Sequence, residues 1–268
     1  MLDAPSTVTC ATTQAPDTPS RATAAIAKPV LVVLHQVHSN PGHVGQWFRR
    51  NGHALDIRRH FDGDPLPATL ADHCGAVIMG GPQSANDPID YIRREIDWIG
   101  VALKEEKPFL GICLGAQMLA HKLGARVDHC TQGTVEIGYH PLQATPVGRE
   151  LGGVPAQAFQ WHREGFDLPK GAELLATSEG AYPNQAMRYG PAAFGVQFHP
   201  EITFAQVNRW SGSNPMRLLM RGAQPRSEQM GGHLVHARHV HSWLDRFLTR
   251  WVAGGGNAQP VPHRNGRA

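Results

Sequence analysis

The sequence predicts an α/β fold: a doubly wound, mostly parallel sheet with a nucleophile elbow and a helix near its C-terminal end. Three features predict it. Residues 30–35 (VLVVLH) form an unbroken apolar, β-branched run, the pattern of a parallel strand covered on both faces. From residue 30 to Gly124, strand-like and helix-like segments alternate, as they do in a doubly wound sheet. Gly111 and Gly115 stand two positions either side of Cys113, where a strand gives way to a helix, and a turn that tight leaves no room there for bulky side chains.

The elements follow in order. After the first strand, Val44, Trp47 and Phe48 recur at helical spacing and Gly52 supplies a stop. Residues 54–59 read as the next strand. Residues 76–79 (AVIM) are a short buried strand running into Gly80-Gly81-Pro82, whose glycines leave backbone amides unobstructed. Ile89, Ile92, Ile96, Ile99 and Leu103, interleaved with Asp90, Arg93, Arg94, Glu95 and Asp97, mark an amphipathic helix. Residues 108–112 read as a strand and 114–123 as a helix capped by Gly124. Beyond it, 134–139, 173–177, 185–188 and 193–198 are strand-like pieces expected to extend the same domain. Weak helices fill 203–224. A final helix spans 233–252, with Leu234, Val240, Trp243, Leu244, Phe247 and Leu248 on its apolar side.

Composition narrows the class. In 268 residues the formal net charge is +3 and 41% are hydrophobic, an ordinary globular balance. No stretch approaches the roughly 20 apolar residues of a membrane span, and the Ala/Thr/Pro-rich start lacks the basic and apolar blocks of a secretory signal. The expectation is a cytoplasmic protein with disordered tails at 1–28 and 253–268 around a domain at 29–252. Four cysteines, Cys10, Cys74, Cys113 and Cys130, are too few and too irregular for a disulfide framework or a paired zinc site. The basic pairs Arg49-Arg50 and Arg58-Arg59 lack interleaved aromatics, which argues against nucleic acid as a partner. The Gly80-Gly-Pro-Gln segment matches neither a P-loop nor a dinucleotide fingerprint, so no cofactor is expected. His233, His236, His239 and His241 do not share one helix face with a completing Glu or Cys; a solvated face is expected there, and no metal site.

The chemistry centres on Cys113. An elbow holds its central residue out at the carboxyl edge of the sheet and at a helix N-terminus, where oriented amides favour thiolate. A lone cysteine is more often a small core residue, so a base is required. Residues 194–198 alternate like a strand and deliver His199-Pro200-Glu201 at its end. The proline stiffens the turn, letting the Glu201 carboxylate reach one imidazole nitrogen and leave the other for the thiol. Nucleophile, base and orienting carboxylate would then sit at strand ends of one sheet.

MGGP at 79–82, GICLGAQ at 111–117 and GVQFHPE at 195–201, in that order, resemble the class I (triad-type) glutamine amidotransferases. The likeness is nearest to stand-alone proteins similar to the glutaminase domain of GMP synthase, and covers about residues 30–210, leaving 211–252 as a helical extension. The resemblance implies a flavodoxin-like three-layer fold and a cysteine that attacks the side-chain amide of L-glutamine, releasing ammonia through a γ-glutamyl thioester. It implies Cys113, His199 and Glu201 as the triad, with Leu114 and Gly81 as oxyanion donors. Gly80 and Gln117 would contact substrate. VEIGYH at 135–140 resembles the strand whose backbone holds the glutamine moiety, and FQWHREGF at 159–166 the loop closing the other wall, which adds Gly138, Tyr139, Trp161 and His162 as contacts. The chain carries no ATP-binding or acceptor domain within this match, so a separate synthase is the expected partner. A γ-glutamyl hydrolase or peptidase using the same triad, and a non-catalytic binding protein on the same fold, are the competing functions.

Overall fold

The computed structural model describes residues 27–254. The strands and helices, in chain order, are β1 (Val30–Val33), α1 (Gly42–Arg50), β2 (Leu55–Arg58), β3 (Gly75–Ile78), α2 (Asp90–Lys104), β4 (Phe109–Ile112), α3 (Leu114–Lys122) and β5 (Val127–His129). Then come β6 (Glu136–Pro141), β7 (Gln143–Ala144), α4 (Pro146–Glu150), β8 (Gln157–His162), β9 (Glu164–Phe166), β10 (Ala172–Thr177), β11 (Asn184–Tyr189), β12 (Ala193–Val196), α5 (Phe204–Ser213) and α6 (Arg226–Val252). The tails expected to be disordered fall almost wholly outside the described residues, as does Cys10.

An eight-stranded sheet runs β2-β1-β3-β4-β12-β11-β10-β7. Its first five strands are parallel and the last three antiparallel. That parallel order is the flavodoxin-like one, in which ligands sit outside the carboxyl ends of the strands where the strand order reverses. The unbroken apolar run of β1 has the expected cause. Val30 and Val32 pack with Trp47, Phe48, Trp243 and Leu248 on one face, while Leu31 and Val33 pack with Ile92, Ile99 and Leu119 on the other. Three layers result, with α1 and α6 on one side of the sheet and α2 and α3 on the other.

Several elements differ from expectation. Of the later strands, β10, β11 and β12 extend the main sheet, but β6 pairs with β8, and β5 with β9, in separate two-stranded sheets; Ile137 of β6 also bridges to Ala223. Residues 159–162 and 164–166 are thus strands of two different small sheets, with a bend at Arg163 between them. Ile89 caps α2 from outside and is 38% exposed, whereas Glu95, expected on the charged face, is fully buried. The final helix begins at Arg226, and Leu234 is 75% exposed. At 100° per residue, Leu234 lies about 120° from the stripe of Val240, Leu244 and Phe247. His233 and His241 do not lie on a solvated face. The Tyr139 hydroxyl meets His233 Nδ1 at 2.9 Å and His241 Nε2 meets the Ile202 carbonyl at 3.2 Å, because α6 is wedged between the antiparallel β6–β8 pair and α5.

Candidate active site

Cys113 joins β4 to α3 at φ 51° and ψ −105°, a conformation few non-glycine residues adopt. It persists because its surroundings over-determine it. The Cys113 N–H donates to the Val196 carbonyl at 2.8 Å, and its own carbonyl accepts from Ala116 and Gln117 at 3.0 Å. A Cβ on Gly111 would lie 2.4 Å from the Gly115 backbone, and one on Gly115 would lie 2.2 Å from the Ile78 carbonyl oxygen. The two glycines are therefore required by close backbone approach, as the sequence spacing implied. The residue itself is only 5% exposed: the side chain opens not onto bulk solvent but into a cleft of about 220 Å³.

β12 runs parallel beside β4 and leads directly to His199. His199 Nδ1 lies 2.8 Å from Glu201 Oε1, and both side chains are buried. The backbone is pinned as well, since the His199 N–H donates to the Phe159 carbonyl on β8 at 2.8 Å and the Glu201 carbonyl accepts from the His43 N–H at 2.8 Å. Nε2 has no aligned hydrogen-bond partner among the described residues. Burial opposes charge on the ring, but the Glu201 carboxylate and the nearby Cys113 sulfur outweigh it and raise the imidazole pKa to about 10. Trp210 stands edge-on to the ring, centroids 5.1 Å apart.

Gly80, Gly81, Cys113, Trp161, His199 and Glu201 line one cleft. Leu114 opens α3, where a first-turn N–H has no intrahelical acceptor. Trp161 stacks on Phe159 and abuts Trp210. The remaining expected contacts lie apart from these walls. Gln117 is buried behind the elbow, donating to the Glu164 carbonyl at 2.8 Å and to Gln197 Oε1 at 3.2 Å. His162 is buried between the Glu164 carbonyl, Gln160 and the Glu136 carboxylate. Tyr139 donates its backbone N–H to Gln224 Oε1 and accepts from Gln224 Nε2, so a side chain of the C-terminal extension occupies this strand edge beside Gly138.

Sequence reasoning missed Trp210, Arg209 and Arg217, which also line the cleft. A signal existed: Thr203 and Gln206 form a capping box that fixes the start of α5 just after Glu201, and α5 carries Arg209 and Trp210 over the cleft. Among the described residues, no group of three or more His, Cys, Asp or Glu side chains could hold a metal ion. No helix among them is long and apolar enough to cross a membrane.

Comparison with known proteins bears on the family. Residues 44–208 match the family described as glutamine amidotransferase class-I. The chain is 31% identical over 185 residues to the glutamine amidotransferase-like protein YfeJ of Salmonella typhimurium, covering 65% of this chain and 76% of that one. It is 32% identical over 136 residues to a subunit of the glutamine-hydrolyzing GMP synthase of Sulfurisphaera tokodaii, covering 50% and 70%. Of the GMP synthase of Porphyromonas gingivalis, 36% identical over 142 residues, it spans only 26%. Among solved structures, a glutamine amido transferase from Methylobacillus flagellatus superposes with a TM-score of 0.79 at 28% identity, covering 90% of this chain and all of that one.

Proposed function

The chain belongs to the class-I glutamine amidotransferases, and from that premise we propose that it hydrolyses the side-chain amide of L-glutamine and passes the ammonia to a separate synthase. The observation that carries this reading is Cys113 at its strained elbow, on the strand beside the one that delivers the His199–Glu201 pair. In the proposed reaction the Cys113 thiolate attacks the amide carbon, and the C=O electron pair moves onto oxygen. The N–H groups of Leu114 and Gly81 receive that oxyanion; one such donor is worth about 2.7–4 kcal/mol. His199, held protonated by Glu201, gives its Nε2 proton to the departing nitrogen as the C–N bond breaks, leaving a γ-glutamyl thioester. Water then gives a proton back to His199 and attacks the thioester, releasing glutamate and restoring the thiolate–imidazolium pair. The synthase as a separate chain draws support from the Sulfurisphaera tokodaii relative, which is named as one subunit of a GMP synthase.

A γ-glutamyl hydrolase is the second reading, and one observation favours it. Arg209 and Arg217 line the cleft, whose one acidic lining residue among the described residues is Glu201. Two guanidinium groups suit a substrate with a carboxylate beyond glutamine's own. Ammonia release from glutamine, measured beside turnover of γ-glutamyl dipeptides and with Cys113→Ala as the blank, separates the readings. Glutamine turnover that rises when a synthase is added supports the first; preference for dipeptides supports the second. Turnover of neither, with a thiol no more reactive than free cysteine, leaves a binding role.

A further inference from the structure

We propose that His35 and Glu95 form a buried positioning pair that holds the Gly80–Gly81 peptide with its N–H turned into the cleft, so that the oxyanion site is formed at rest. The inference rests on the proposed acyl-transfer chemistry and assigns a function to two residues that the reaction itself does not touch.

His35 follows β1, and Glu95 lies on α2. Ring Nε2 sits 2.8 Å from Glu95 Oε2, with neither side chain exposed at all. The other nitrogen, Nδ1, lies 3.3 Å from the Gly80 carbonyl oxygen. A carbonyl can only accept, so Nδ1 carries the proton of that bond, and Nε2 shares a proton with the carboxylate. This arrangement draws the Gly80 carbonyl down to the buried side of the turn. In a planar trans peptide the C=O and N–H point opposite ways, and no cis bonds occur among the described residues. The Gly81 N–H therefore points away from His35. Gly80 and Gly81 line the cleft beside Cys113, so away from His35 is toward the reacting atoms.

The turn is also pressed onto the ring: a Cβ on Gly81 would lie 2.7 Å from His35 Cβ and 3.0 Å from its Cγ. Flipping the peptide would break the carbonyl bond and put an acceptor where the substrate oxygen develops negative charge. The pair is not explained by stability. Buried ion pairs are often replaceable by apolar residues at no loss, and Glu95 Oε1 has no partner among the described residues. A charged side chain taken from the solvated side of an amphipathic helix and buried under a glycine turn has a positional use.

The test compares two reactions of Cys113. p-Nitrophenyl acetate acylates a thiolate through an oxyanion whatever the natural substrate is; iodoacetamide alkylates it by displacement with no oxyanion. Their rate ratio reads the oxyanion site apart from the nucleophile. His35→Gln keeps a group near the Nε2 position and loses the bond to Gly80, whereas His35→Asn keeps a donor near Nδ1. Loss of one whole donor costs about 10²–10³-fold, so loosening it predicts a ratio about 10-fold lower or more in His35→Gln, largely recovered in His35→Asn. Glutamine turnover should show the same loss in kcat with KM little changed. An unchanged ratio in folded His35→Gln, or alkylation falling in step with acylation, overturns the inference. If that variant does not fold, Glu95→Leu, which frees the ring while filling its space, is expected to show the same loss, and an unchanged ratio there overturns it equally. A wild-type chain that acylates normally but turns over neither glutamine nor γ-glutamyl dipeptides would instead remove the functional reading and leave this one standing.

Discussion

Gly80→Ala places a methyl group against His199, the proposed base. Its Cβ would lie 2.8 Å from His199 Cε1 and 3.4 Å from Cys113 Cβ. Carbon atoms meet comfortably at about 3.5 Å, so the sulfur side is nearly undisturbed while the ring must retreat by about 0.7 Å. Cε1 lies between the two nitrogens, and any retreat moves Nε2 relative to the sulfur and Nδ1 relative to Glu201 together. The ring has little freedom to absorb this, being 3% exposed with Trp210 edge-on behind it. A misplacement of 1 Å costs about 10²-fold, so kcat should fall roughly 10- to 100-fold, with a stability loss of about 1–3 kcal/mol from overpacking. Steady-state ammonia release, with iodoacetamide counting the reactive thiol and urea unfolding measuring stability, checks all three. A folded Gly80→Ala protein with wild-type kcat would refute the claim that the ring's position limits the reaction.

Three other outcomes follow from the same geometry. Because the fold raises the His199 pKa from 6.5 to about 10, its contribution to stability is full below about pH 6.5 and is lost as pH rises through about 10; urea midpoints should decline across that window and decline less in Glu201→Gln, and parallel curves would count against the coupling. Gly115→Ala drives a methyl into the Ile78 carbonyl, where backbone cannot yield, so unfolding free energy should drop by about 3 kcal/mol or more; an equally stable variant would contradict the elbow geometry. Tyr139→Phe strips the buried His233 Nδ1 of its partner and should cost about 1–3 kcal/mol in urea unfolding while leaving KM for glutamine unchanged; a raised KM would instead place the phenol on the substrate.

The parallel half of the sheet was legible because its signals are local: apolar runs, helical spacing, and two glycines around one cysteine. The same holds for His199 and Glu201, joined across a single proline. What was not legible is set by contacts distant in sequence. QAFQWH at 157–162 has no β-branched residue and alternates poorly, since its glutamine and histidine side chains are satisfied in a buried polar network with Gln185 and Glu136. Nothing near Glu95 reveals that a histidine 60 positions earlier will bury it. Gln117 reads as a cleft residue from its single-turn distance to Cys113, yet the Glu164 carbonyl and Gln197, both distant in sequence, draw it behind the elbow.

The antiparallel pair of β6 and β8 forms its own small sheet, set apart from the strands that bear the thiol and the imidazole, yet it supplies Trp161 to the cleft. Its reach into the sheet-borne machinery includes one backbone bond, from the His199 N–H to Phe159, which any side chain at that position can make. In the proposed reaction, substitutions along this strand pair can thus reshape what is admitted without altering how it is cut. Under that proposal selectivity and bond cleavage are separately heritable, and descendants of one scaffold can change diet while keeping the same teeth.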